Sequence, residues 1–260
     1  MTVKWTSPAA SALRDVATRL LGLVSLLLIL ALSACSAQSR ATSPKEVRKL
    51  AGGAQAQQSR KAAEEHLRAI VNAYAKNTPL SLGLVTVDDM CAGGSAKQWF
   101  FPTGDDRYKI RCDMRITAYY GADPRRIADV LDGILAAGDD DSSDGAPGST
   151  IPFPHGRALV NYYRGHGLNP SGPNAPEPAL LSDPSQTLSW DTVRSSQKKL
   201  VDEPDLCPAN DPPVTRCLRE PSTKTVADIR RQHGMVFKLA IAEITYYRVS
   251  KDGKTVKTWR

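Results

Sequence analysis

Hydrophobic positions recur along this chain with different rhythms, and each rhythm predicts an element. Tyr108, Ile110, Cys112, Met114, Ile116, Ala118 and Tyr120 alternate with Lys109, Arg111, Asp113, Arg115, Thr117 and Tyr119. A sustained period of two predicts a long strand with one face in a core and the other in water. Between 60 and 76, Ala63, Leu67, Ile70 and Tyr74 return at helical spacing, and Glu64 with Arg68 forms an i,i+4 pair; an amphipathic helix is expected. A second helix is expected from Asp123 as N-cap and Pro124 in the first turn, with Ile127, Val130, Leu131, Ile134 and Leu135 as its apolar stripe and Gly138 as its stop.

Shorter apolar runs at Leu80–Val87 and Gln98–Phe101 predict further strands. Near the C-terminus, Thr225 with Asp228 three residues on has the form of a capping box, opening a short helix that Gly234 ends. Val236–Val249 comes next as a long strand, and Lys251-Asp252-Gly253 turns the chain into a last strand over 255–259. One residue interrupts the alternation there. Phe237, Leu239 and Ile241 share a face with Glu243, so either a bulge shifts the register and turns Ile244 and Tyr246 inward, or Glu243 is a buried acid.

Residues 139–221 have another character, with thirteen of the chain's 18 prolines. Proline removes a backbone donor and fixes φ, so regular structure is expected to be sparse. Arg157–Arg164 reads as a short helix or strand and Ser189–Leu200 as a helix, with long loops between. The fold expected is α+β: one domain over 59–260, an antiparallel sheet with helices packed on one face, and a Pro-rich irregular insertion at 139–221.

The N-terminus adds an address. Lys4, Arg14 and Arg19 against a single Asp15 precede Leu20–Leu32, an uncharged run with eight leucines. A basic stretch before a short apolar one is the pattern of a secretory signal, and the run is too short to span a bilayer comfortably. It leads into Leu32-Ser33-Ala34-Cys35, which resembles the lipobox of bacterial lipoproteins: an aliphatic residue, two small residues, then cysteine. The resemblance covers only the first 35 residues or so. It implies cleavage of 1–34 and a thioether-linked diacylglycerol on Cys35, and it says nothing of the fold or activity of the mature chain. Residues 35–58, small and polar around Ala51-Gly52-Gly53-Ala54-Gln55, then read as the lipidated cysteine and a flexible tether. The implied location is the extracytoplasmic side of the bacterial membrane: the cell membrane, or the outer membrane where the host has one.

Export changes the reading of the other cysteines. Cys91, Cys112, Cys207 and Cys217 are an even set in an oxidising compartment, and two disulfides are expected. Four cysteines allow three pairings; Cys91–Cys112 and Cys207–Cys217 join partners close in sequence. Neither pair has the spacing of zinc ligands, so no metal is expected.

Composition narrows the chemistry. The 260 residues carry 34 Lys and Arg against 27 Asp and Glu, a net charge of +7. Loss of 1–34, with three basic residues and one acid, leaves +5. Such a modest, scattered excess on an exported chain argues against nucleic acid as partner. No G-x-S-x-G, H-E-x-x-H, P-loop or G-x-G-x-x-G motif is present, and no cofactor is expected. The acidic run Asp139–Gly145 fails the calcium-loop pattern, because the sixth and twelfth positions hold Asp144 and Thr150 instead of Gly and Glu. Two groups remain as candidate binding residues. Lys109, Arg111 and Arg115, with Tyr119 continuing their face, are a candidate anion site. His155 and His166 bracket Tyr162 and Tyr163, which is the composition of a ligand or acid–base pair beside an aromatic platform. No catalytic residue can be named.

These features favour a lipid-anchored, non-catalytic envelope module that binds a small ligand or another envelope protein. An envelope hydrolase acting on wall polymer or peptide, and a structural or assembly factor, are the alternatives.

Overall fold

The period-two segment lies at the middle of the sheet. The structure, a computed structural model, describes residues 40–96, 104–143, 150–153, 156–205 and 212–256. Its elements run α1 (Pro44–Ala51), α2 (Ala54–Asn77), β1 (Ser81–Gly93), β2 (Tyr108–Ala122), α3 (Ile127–Ser143), α4 (Arg157–Arg164), β3 (Leu180–Asp183), β4 (Gln186–Trp190), β5 (Val214–Glu220), α5 (Val226–His233), β6 (Met235–Ile241), β7 (Ile244–Ser250) and β8 (Thr255–Val256). The sheet is antiparallel, in the order β3-β4-β6-β2-β1-β5; β7 continues beside β2 below β6 and carries β8. The protein is therefore α+β, as its sequence predicts.

Core packing follows the predicted stripes. Ile110, Cys112, Met114, Ile116, Ala118 and Tyr120 of β2 lie in one buried cluster with Ala63, Leu67, Val71 and Tyr74 of α2 and with Ile127, Leu131, Ile134 and Leu135 of α3. The helix expected over 60–76 starts earlier, at Ala54. Two buried tyrosine hydroxyls are satisfied: Tyr120 donates to the Val71 carbonyl at 2.9 Å, and Tyr74 donates to Gln186 Oε1 at 2.8 Å. The capping box at Thr225 is formed on both sides.

Several expectations change. The stretch 35–58 is not a tether throughout. Pro44–Ala51 is a helix capped by Ser43, and Val47 and Ala51 are buried against the core; Gly52 and Gly53 form the corner into α2. Residues 139–221 are not an insertion beside the sheet, because β3, β4 and β5 are strands of it. Ser189–Leu200 is no helix: β4 ends at Trp190 and gives way to an irregular segment. Val236–Val249 breaks into β6 and β7 at Ala242-Glu243. Between Thr117↔Ala240 and Met114↔Ile244 the C-terminal strand has one residue more than β2, a bulge that leaves Glu243 exposed. Gly138 does not stop α3. The helix passes through it, and the loop carbonyl of Phe153 comes so close that a Cβ there would lie 2.4 Å from it, so the position has no room for a side chain. Gln98–Phe101 lies outside the described residues.

Helices cover more than one face. α1 to α4 pack on the inner face, but α5 lies on the other with Leu84, Tyr119, Val201 and Val236. The sheet's outer face is thus dry at one end and wet elsewhere.

Candidate functional site

The two faces of β1 set up two polar clusters. Asp88 points outward and meets Arg115 at 3.1 Å, whereas Asp89 points inward and is wholly buried. Beneath α2, Arg60 Nε lies 2.7 Å from Asp89 Oδ2; the N–H is not aimed along that line, so the two pair as charges. Tyr246 donates to Asp89 Oδ1 at 2.7 Å. Burial, and then the Asp89 charge, pushes the Tyr246 phenol far above its usual range, which keeps it a donor. The network continues outward from Asp89 to Arg216 at 3.8 Å, from Arg216 to Glu64 at 2.8 Å, and through Arg68 to Glu220 at 2.8 Å. Burial raises the Glu64 carboxyl, but hydrogen bonds from Arg216 and Arg68 outweigh it and hold the group below the usual range. This network ties α2, β1, β5 and β7 together with charges that compensate one another, and it is closed to solvent at Asp89.

The Cys91–Cys112 disulfide lies beside it, joining directly opposed residues of β1 and β2. Cys217 is also disulfide-bonded; its expected partner, Cys207, lies outside the described residues, as does Cys35.

The outer face carries an open groove of about 360 Å³. Its floor is the row Thr86, Asp88 and Met90 of β1, Arg115 and Thr117 of β2, Cys217 of β5, and Lys238 and Ala240 of β6; Asp202, Glu203, Pro204 and Asp205 form a wall. Alternation along the strands puts these residues on one side. The wall is held by two acids. Asp191, buried, accepts from the backbone N–H of Val201 at 2.7 Å and of Val236 at 2.9 Å, and binds Arg230 at 2.8 and 2.9 Å. Glu203 accepts from Ala227 N at 3.0 Å at the N-terminus of α5 and from Arg219 at 3.1 Å. Burial opposes its ionisation, but the Ala227 and Val226 N–H groups and Arg219 prevail and keep its carboxyl below the usual range. Asp202 and Asp205 remain exposed on the rim. Among the described lining residues there is no histidine, and the one cysteine is tied in a disulfide. The groove therefore has charge and hydrogen-bonding capacity.

The fold brings Arg115 and Tyr119 to one groove and disperses the other sequence candidates. Arg115 lies in the groove floor. Tyr119, predicted to continue the wet face, also lines the groove but is 1% exposed, packed with Val201, Val226 and Ile229; the helix and segment that cover it are distant in sequence. Lys109 and Arg111 lie toward the other end of β2, where Arg111 binds Asp113 at 2.7 Å. Tyr162 and Tyr163 lie on α4, packed on the inner face. Tyr163 is buried, accepts from Trp190 Nε1 at 3.1 Å and donates to Glu177 at 3.1 Å. Glu177 in turn accepts the N–H groups of Val193, Arg194 and Ser195, so this cluster fastens loops to the helix and is no aromatic platform for a ligand. His166 is exposed in the turn after α4, and His155 lies outside the described residues. Sequence reasoning missed the Asp202–Asp205 wall and the Asp89 network; only Pro204 in a run of acids marked the former.

Among the described residues no group of three or more His, Cys, Asp or Glu is placed to hold a metal ion, and no helix is long and apolar enough to cross a membrane. The chain matches no protein-family model, and it resembles no curated protein and no solved structure.

Proposed function

We propose that the chain is a lipid-anchored extracytoplasmic protein whose domain binds a ligand or an envelope protein in the outer-face groove without transforming it. The observation that carries the binding reading is the groove itself, a polar floor laid across four strands and walled by a segment that Asp191 and Glu203 fasten in place. Such preorganisation of a polar surface lowers the ordering cost of association. The exposed rim acids Asp202 and Asp205 favour a ligand with basic groups. The anchor rests on the Leu32–Cys35 resemblance.

A photo-crosslinker in place of Lys238, in the groove, and another in place of Glu65, exposed on α2, test the binding reading in cells that export the chain. A discrete adduct from position 238 and none from 65 is expected, and Asp202→Asn with Asp205→Asn should weaken it. Equal labelling from both positions, or none from 238, overturns the reading. Labelling with a clickable palmitate analogue tests the anchor: label on the parent and none on Cys35→Ala is expected, and a labelled Cys35→Ala overturns it.

A further inference from the structure

A second groove, of about 430 Å³, opens at the end of the sheet where the described chain begins. Its lining includes Arg107, just before β2, Arg111 on β2, Arg248 on β7, and Tyr108. Arg111 and Arg248 face each other in the β2–β7 register. Arg111 is occupied by Asp113 and lies 3.8 Å from Asp105, whereas Arg107 and Arg248 have no carboxylate at ion-pair distance among the described residues. Asp105 is itself engaged by the Tyr108 hydroxyl at 2.7 Å. Beside the groove, the Lys251 backbone N–H donates to the Arg107 carbonyl at 3.1 Å. The Lys251 side chain donates to the carbonyl of Arg40 at 3.1 Å, and Lys109, Asp106 and Glu46 are its charged neighbours. Lys254, in the same hairpin, pairs with Asp252 at 3.6 Å. The end of the sheet thus carries more basic than acidic groups, and two guanidiniums in it are available.

Its place in the fold adds the second argument. Arg40 is fixed at this end by Lys251, and Thr42 N donates to the Gly94 carbonyl at 3.0 Å. Arg40 lies five positions after Cys35, a stretch that spans at most roughly 18 Å. A lipid on Cys35 therefore holds this end within reach of the membrane.

We infer that the basic groove at the β2–β7 end docks on anionic phospholipid headgroups, seating the domain against the membrane that carries its lipid. The inference rests on the proposed anchor. Guanidinium groups suit it, because their planar fork matches phosphate oxygens. Juxtamembrane basic residues gain from the negative surface potential of an anionic leaflet.

The test uses the processed chain, residues 35–260, with Cys35→Ser, and sedimentation with vesicles of phosphatidylcholine alone or mixed with phosphatidylglycerol. The chain should partition onto the mixed vesicles and not onto the neutral ones. Binding should fall steeply between about 0.1 M and 1 M salt, as the Debye length shrinks from ~10 Å to ~3 Å. Arg107→Gln with Arg248→Gln and Lys251→Gln should weaken partition by roughly 100-fold, while Lys198→Gln with Lys199→Gln, exposed elsewhere, should leave it unchanged. An unshifted melting temperature shows that the triple variant is folded. Equal partition onto both vesicles, salt-independent binding, or full binding by a folded triple variant overturns the inference. The Cys35→Ser chain carries no acyl group, so failed partition counts against the basic groove alone. Loss of the palmitate label on the parent counts against the anchor alone.

Discussion

Asp88 and Asp89 are chemically identical and adjacent, and the pleat gives them opposite fates. Asp88 pairs with Arg115 in water; Asp89 has no exposed surface and depends on Arg60, Arg216 and Tyr246. Taking a carboxylate out of water is costly, and the network offsets that cost only while every partner is present. Asp89→Asn is expected to lower the unfolding free energy by on the order of 3 kcal/mol, because it leaves Arg60 without its charge partner. Asp89→Leu with Arg60→Met should recover most of that loss in urea denaturation; a double variant as unstable as the sum of its parts would show that the pair contributes little as a pair. At Gly138 two effects compete. Alanine gains up to ~1 kcal/mol of helix propensity over glycine, but its Cβ would lie 2.4 Å from the Phe153 carbonyl oxygen, a backbone atom that cannot swing aside. The contact wins, so Gly138→Ala should lower the melting temperature. Neither site is legible in the sequence: an aspartate after an aspartate suggests a turn, and a glycine late in a helix suggests a stop.

Among the elements, the β1–β2 pair is the most constrained. Cys91 and Cys112 face each other in register, both with no exposed surface, and close a loop of sequence separation 21. A loop of that size gives about 3 kcal/mol through the lost freedom of the unfolded chain. Cys91→Ala with Cys112→Ala should lose about that much in denaturant titrations. A small thiol reductant should leave the parent's bridge intact under native conditions and open it on unfolding. This pairing was legible in the sequence, because Cys112 falls on the apolar phase of an unmistakable strand. Other elements were less so. The C-terminal strand over 236–249 left a bulge at Glu243 and a buried acid as alternatives, and it is the bulge that forms, at Ala242-Glu243, because the strand must track a β2 that is one residue shorter across the same span. β3, β4 and β5 are short and flanked by prolines, and what makes them strands is the partner edge each finds.

Over the whole molecule, charge is sorted by place: acids along the outer groove, cations at the end of β2 and β7, and a compensated network through the core. Glu64 and Glu203 both have carboxyls held below the ordinary glutamate value of 4.5. A depressed pKa in the fold contributes stability that is complete above the unfolded value and is lost as pH falls through the folded one. The melting temperature should therefore hold steady above about pH 5 and decline below about pH 4.5. Glu64→Gln should lie lower on the plateau and decline less; a parent whose stability rises on acidification would contradict the sign. Glu203 is mostly exposed, so its share is reduced by solvent screening.

What the sequence determined by itself was whatever depends on near neighbours along the chain. Alternation marked β2, a stripe of four apolar residues marked α2, and Thr225 with Asp228 marked the start of α5, because pleat, helical pitch and cap geometry act over a few residues. The class of fold came from those elements. The tertiary structure alone decided which polar residues meet. Tyr119 reads as a surface residue until α5 and Val201, far along the chain, close over it. Arg115 acquires its groove only because Asp191 reaches Val236 and Arg230 and holds the Asp202–Asp205 wall in place. Contacts between residues a hundred positions apart depend on the path of the whole chain, and no local pattern carries that path.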